Sequence, residues 1–289
     1  MCRLFGLHTG SNPVLATFWL LDAPDSLREQ SHREPDGAGI GIFDADGLPV
    51  IDKQPIAAWQ DSEFAHEARV ARSRTFVAHV RYASTGAHTT ENTHPFAQDA
   101  RLFAHNGAFG ELGVLDDRLA ELGVSDLVGG QTDSERMFAL ITAQARLRDG
   151  DVGAAIVAAV GWIAERLPVF ALNLIVATPD DLWALRFPAT HRLYVLERPA
   201  SDENLDVRSP RIHTKSEELA GSASVVVASE PMDGASGWRL LDPGELIHVG
   251  VDLTVTSSHP LPAAPRHPLT LADLSPAAAA SQGSAAQQA

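Results

Sequence analysis

The sequence predicts an α+β domain of stacked layers, and three observations point to it. Strand-like apolar runs fill much of the chain up to residue 106, two helical segments lie between residues 132 and 166, and strand-like runs then resume as far as residue 255. Strands, a helix pair and strands again do not make the regular alternation of a parallel βαβ winding.

Residues 2–8 (CRLFGLH) alternate and are rich in apolar types, which reads as a strand. The apolar run Val14–Leu21 imitates a signal-peptide core. Gly10, Asn12 and Pro13 before it and Asp22 after it fit that role poorly, and no small-residue cleavage site stands at a sensible distance. A polar helical segment around Asp25–His32 leads into the turn-rich REPDGAG, and Ile40–Phe43 and Val50–Ile51 flank D-A-D-G, a hairpin signal. TFVAHVRYA at 75–83 and RLFAHN at 101–106 read as further strands. Thr132 and Glu135 have capping-box spacing ahead of Met137, Phe138, Leu140 and Ile141, and Gly150 is placed to end that helix. A second helix through about 152–166 carries Val152, Ile156, Val160 and Ile163 on one side. Strand-like runs follow at 169–178, 182–187, 192–197, 223–229 and 245–255. From Pro260 onward Pro, Ala, Ser and Gln take over, and SPAAAASQGSAAQQA has neither aromatic residue nor charge. Residues 2–258 are therefore expected to form the domain and 259–289 a disordered tail.

A chain of 289 residues, 45% hydrophobic and 20% charged, can bury a sizeable core. Its formal net charge of -15 argues against non-specific binding to nucleic acid or to an anionic membrane. A single cysteine excludes an intramolecular disulfide, and no stretch approaches the roughly 18 apolar residues of a spanning helix, so a cytoplasmic protein is expected. His79, His88, His94 and His105 crowd one region without any metal-ligand spacing, so they read as satisfied structural histidines and no metal is expected. DGAGIG is not G-x-G-x-x-G and no βα unit follows it, so no dinucleotide cofactor is expected either.

Four places carry chemistry. Removal of Met1 would leave Cys2 with both a thiol and a free α-amine, and an amine with a pKa of about 8 can take the thiol proton. Arg81, ending a buried strand, has the planar fork that suits a carboxylate such as that of an amino acid, although strand-end arginines are ordinarily surface cations. Asn106-Gly107 is a hairpin-turn signal by itself, yet an Asn amide beside a Gly N–H also makes a pair of donors for an oxyanion. Asp133 opens a helix, where the N-terminal field favours its carboxylate, and it could grip a ligand ammonium.

Taken in order, Cys2 beside the initiator, R-x-x-D-G-A-G at 33–39, HVRYAS at 79–84, ENTHPF at 91–96, AHNG at 104–107 and TDSE at 132–135 resemble the glutaminase domain of class II glutamine amidotransferases. That family belongs to the N-terminal-nucleophile hydrolases. The likeness runs from residue 2 to about 140, and VVVASEP at 225–231 and PGELIHV at 243–249 are consistent with the remainder of such a domain. The lack of a synthase domain in the sequence and the THPF and ASEP wording most resemble the stand-alone subgroup that includes the ergothioneine-pathway γ-glutamyl hydrolases. The resemblance implies a four-layer αββα sandwich. It implies Cys2 as nucleophile, Asn106 and Gly107 as the oxyanion hole, Arg81 on the substrate α-carboxylate and Asp133 on its α-ammonium. Ser84 and Thr85 fall where members contact glutamine, largely through backbone, and Arg33 falls where an arginine supports the nucleophile, with Glu34 standing where many members have glycine.

The implied partner is glutamine or a γ-glutamyl small molecule, with no cofactor. Three readings stay open at this point: a free-standing γ-glutamyl amide hydrolase, an ammonia-supplying subunit for a separate synthase or acceptor protein, and a non-catalytic amino-acid-binding relative. A homo-oligomer is open as well.

Overall fold

Alternation along the first strand decides how the molecule is layered. Leu4 and Gly6 face one way and Phe5 and Leu7 the other, because successive side chains of a strand leave opposite faces. Both directions are buried, so this strand has a layer on each side. The computed structural model describes residues 2–83, 86–200, 207–209, 212–214, 219 and 221–283.

The first third of the chain forms β1 (Arg3–His8), β2 (Val14–Leu15), a π-helical turn at Phe18–Asp22, α1 (Leu27–Gln30), β3 (Gly37–Phe43), β4 (Pro49–Gln54), α2 (Ser62–Val70), β5 (Arg72–Ser73) and β6 (Thr75–Arg81). The middle supplies β7 (Phe96–Gln98), β8 (Arg101–Phe109), α3 (Leu112–Glu121), α4 (Asp133–Arg146), α5 (Val152–Arg166), β9 (Pro168–Ala177), β10 (Leu182–Leu185) and β11 (Tyr194–Arg198). The last part adds β12 (Val207–Ser209), β13 (Ile212–Thr214), β14 (Ser224–Ala228), β15 (Arg239–Leu240), β16 (Leu246–Val249), β17 (Val255–Ser258), β18 (His267–Pro268) and α6 (Pro276–Gly283).

Two antiparallel sheets stack face to face. The first has the order β15-β11-β14-β1-β6-β3-β4 and the second β17-β16-β10-β9-β8-β7, with β18 running parallel beside the start of β9. Between the sheets lie Leu4, Val77, Leu102, Ala104, Ile175 and Val227. On the outer face of the first sheet, Phe5, Leu7, Phe76 and Val80 pack with Phe18, Trp19, Leu27 and Phe64. On the outer face of the second, Phe103, Leu174 and Val176 pack with Phe138, Ile141, Ile156 and Val160 of α4 and α5. The result is the four-layer αββα sandwich that the resemblance implies.

The local signals act as their chemistry requires. Thr132 caps α4 by accepting the Glu135 N–H at 3.2 Å. Glu135 does not complete the box; its carboxylate accepts from Gly130 N–H at 2.6 Å instead. Asp151 caps α5 through the Ala154 N–H at 2.9 Å. The apolar run after Pro13 is core: Phe18, Trp19 and Leu20 are all fully buried. Among the described residues no helix is long and apolar enough to cross a membrane.

Two expectations differ from the structure. Residues 245–255 are not one strand, because Gly250 begins a turn in which Leu253 N–H donates to Gly250 O at 2.8 Å, and the chain folds back as β16 and β17. The segment expected as a disordered tail is ordered through residue 283, and Ala278, Ser281 and Gln282 are buried. Its low-complexity end is preceded by Leu269 and Leu274, which pack against Ala108, Phe170 and Ala171 and so supply apolar anchors that the composition of the end lacks. Residues 284–289 lie outside the described residues.

The stacked rings of Phe103 and Phe138, 4.8 Å apart and 8° from parallel, join α4 to β8. Phe138→Ala is expected to lower unfolding stability by about 3–5 kcal/mol in urea titrations, as for other buried aromatic truncations.

Candidate active site

β1 begins beside the end of β6, with Arg3 opposite Val80, and this register places Cys2 against the peptide of Tyr82. The Cys2 sulfur accepts from Tyr82 N–H at 3.3 Å, and its S–H lies 3.4 Å from Tyr82 O. Cys2 is 9% exposed. Burial pushes its thiol above the ordinary value, and the Tyr82 N–H and the Arg81 charge oppose that shift.

Arg81 closes β6 and is buried, donating to Ala87 O at 3.3 Å. Burial pulls its guanidinium below the ordinary value, against the stabilising fields of Cys2, Asp36 and Asp133. Asp36 in turn accepts from Ala83 N–H at 2.8 Å, which ties the chain just beyond Arg81 to the start of β3. Asp133 is the first residue of α4 and is buried; its carboxylate accepts from Ser134 N–H at 2.9 Å and from Phe109 N–H at 3.3 Å.

Asn106 and Gly107 lie on β8 in the second sheet, opposite Asn173 and Leu172 of β9. Asn106 is completely buried, and neither its amide nitrogen nor its amide oxygen has a partner among the described residues. A buried amide left unmatched costs about 1–3 kcal/mol, so a ligand that used it would recover that penalty. Gly107 has no alternative, since a Cβ there would sit 1.9 Å from Ala171 O.

One cleft is lined by Cys2, Arg81, Gly107 and Asp133, with Tyr82 and His94. The structure thus brings four of the sequence-selected residues together, and Asn106 directly precedes the Gly107 that lines the cleft. Ser84 and Thr85 lie outside the described residues. Arg33 is not among the lining residues. It is half exposed and pairs with Asp25 at 3.0 Å and Glu230 at 3.4 Å. Arg3 donates to the backbone oxygen of Cys2 at 3.4 Å and pairs with Glu230 at 2.7 Å and Glu34 at 3.5 Å. Glu230 bridges the two arginines, so Arg33 stands one ion pair farther out. A charge interrupting the apolar strand after Cys2 was the available signal for Arg3.

The expectation of satisfied histidines holds for only part of the cluster. His105 bonds Ser134 Oγ at 2.9 Å and Ala171 O at 3.3 Å. His88 is exposed. His79 and His94 are buried with ring centroids 4.2 Å apart, and none of their ring nitrogens has a partner among the described residues. Burial lowers His79 to about 3 and holds His94 well below its usual 6.5.

A buried thiol, a guanidinium, a carboxylate and an unmatched amide around one cleft suit a zwitterionic amino-acid ligand bearing a carbonyl to be attacked. Comparison with known proteins shows the family. The family model of class-II glutamine amidotransferases matches residues 1–267, and the chain belongs to that family. It is 29% identical over 267 residues to a gamma-glutamyl-hercynylcysteine sulfoxide hydrolase of Mycobacterium tuberculosis, covering 88% of this chain and 96% of the relative. It is 29% identical over 240 residues to the protein of the same name from Mycolicibacterium smegmatis, covering 80% of this chain and 88% of the relative. A glutamine aminotransferase class-II domain protein from Silicibacter pomeroyi shares the fold with a TM-score of 0.62 at 21% identity, over 90% of this chain and all of that one.

The two unmatched histidines make stability depend on pH. Folded, they stay neutral; unfolded, they bind protons below about 6.5, so the stability present above pH 6.5 is lost as pH falls toward 3. Each contributes a slope of up to about 1.4 kcal/mol per pH unit. Urea unfolding between pH 7.5 and 4.5 is expected to show this decline, and His79→Phe to flatten it by the share of one proton.

Proposed function

We propose that this enzyme hydrolyses γ-glutamyl amides through a thioester on Cys2, once Met1 has been removed. The observation that carries the reading is the meeting of Cys2, Arg81, Gly107 and Asp133 in one cleft next to the unmatched amide of Asn106. Arg81 holds the substrate α-carboxylate and Asp133 its α-ammonium, which sets the γ-carbonyl at the thiol. The resemblance assigns contact with the substrate to Ser84 and Thr85 as well.

The Cys2 α-amine takes the thiol proton, and the thiolate adds to the γ-carbonyl carbon. The carbonyl π pair moves to oxygen, where Asn106 Nδ2 and the Gly107 N–H receive it. Collapse of that intermediate expels the amine, which leaves with the proton that the α-amine had stored. Water then adds to the thioester with the α-amine again as base, releasing glutamate and restoring the thiol. Burial resists ionisation of the Cys2 thiol, and the α-amine freed by loss of Met1 supplies a base on the same residue.

The similar hydrolases act, by name, on a γ-glutamyl conjugate, which places such conjugates beside glutamine as first substrates to test. Purified chain lacking Met1 is expected to release glutamate from glutamine or from a γ-glutamyl conjugate. Silence on every such substrate would contradict a free-standing hydrolase. Asn106→Ala is expected to lower kcat by about 10²–10³ with the fold intact, the usual cost of one oxyanion donor. Arg81→Lys keeps the charge and loses the planar fork, so the rise should appear chiefly in KM.

A further inference from the structure

The C-terminal segment, whose composition suggested a disordered tail, reaches the glycine of the cleft through Gln282. β18 pairs with β9 through His267 opposite Pro168 and Pro268 opposite Val169. Leu269 N–H then donates to Val169 O at 2.8 Å, and Leu269 and Leu274 pack against Ala108 and Ala171, the neighbours of Gly107 in sequence and across the sheet. From that footing α6 carries Gln282, 3% exposed, back into the domain. Gln282 Nε2 donates to Gly107 O at 3.4 Å, and Gln282 Oε1 receives a hydrogen bond from His191 Nε2. His191 is 1% exposed and held on two sides: its backbone oxygen accepts from Arg186 Nε at 2.7 Å, and its ring meets Phe170 edge to face at 5.4 Å.

We propose that Gln282 is a positioning residue for the oxyanion hole, with His191 orienting its amide. Glycine has the widest backbone freedom of any residue, and Gly107 needs to be glycine because Ala171 O leaves no room for a Cβ. Its N–H is useful only if it points steadily at one spot. The ladder cannot fix it alone, because the β8–β9 register shifts between Ala108 and Phe109, one residue beyond. Gln282 pins the carbonyl on the far side of Gly107 and so restrains the peptide pair around its Cα. The His191 bond decides which end of the amide faces Gly107: with Oε1 committed to His191, only the NH2 is left to meet the carbonyl. The inference rests on the amide-hydrolase reading given above.

Gln282→Met keeps the length of the side chain and removes both hydrogen bonds. It is expected to lower kcat between about tenfold and the ~100-fold that a small misplacement can cost, with KM little changed and the melting temperature close to that of the unaltered protein. Ala280→Ser, on the exposed side of the same helix, should leave kcat unchanged. Hydrogen–deuterium exchange supplies a readout that needs no turnover, and the peptide spanning 104–109 should exchange faster in Gln282→Met. Unchanged kcat, or unchanged exchange of that peptide, overturns the proposal. If the unaltered protein turns over no γ-glutamyl substrate, the hydrolase reading fails and the exchange result alone decides whether Gln282 restrains Gly107.

Discussion

The amino-terminal strand lies in the middle of its sheet, hydrogen-bonded to β6 on one side and β14 on the other. Chain ends usually fray at a surface, but here the first residues are fixed from both edges and covered on both faces. That placement holds the Cys2 sulfur against the Tyr82 peptide. It also sets the distance from the thiol to everything else, because β6 delivers Arg81 at the same end and the stacked second sheet brings β8 underneath. A single pairing therefore aligns groups that are about 80 to 130 residues apart in sequence. Loss of it would scatter the cleft even if each side chain remained.

Around this strand the structure tolerates arrangements that a core normally avoids. Arg3 is buried beside Cys2 and is matched by Glu34 and Glu230, since a buried cation without partners would be costly. Burial pushes Glu34 up, and the Arg3 charge counters that push. Asn106, His79 and His94 keep polar atoms without protein partners at or beside the cleft. Three apolar clusters, one between the sheets and one on each outer face, are large enough to absorb such penalties. Other unpartnered buried atoms lie away from the cleft, on His8, Trp19, Thr142 and Ser224 among others, so it is the company of Cys2, Arg81 and Asp133 that sets Asn106 apart.

Much of the layering was legible in the sequence because it follows from period. Alternation marked β1 and β6, the D-A-D-G turn marked the β3–β4 hairpin, and the cap at Thr132 and the stripe from Val152 marked α4 and α5. Cys2, Arg81, Gly107 and Asp133 could be named because motifs that are weak one by one stand together in the order of a known family. Other features depend on contacts that no local pattern encodes. Arg33 drew attention through its motif, whereas Arg3 is the one that donates to the Cys2 backbone oxygen, held there by Glu34 and Glu230. The ordered C-terminal segment was hidden because its footing, Phe170 and Ala171, is about 100 residues earlier in the chain. The orphaned nitrogens of His79 and His94 likewise depend on which residues happen to surround them.

The central claim is that the chain's lone thiol, unmasked by loss of Met1, is the nucleophile of the cleft. Reaction of the mature protein with a glutamine analogue bearing an electrophile at the γ position, followed by peptide mass mapping, tests it most directly. One label per chain on Cys2, prevented by excess glutamate or glutamine, is the predicted result. Labelling at any other residue, or a folded mature protein whose Cys2 stays unmodified, would contradict it.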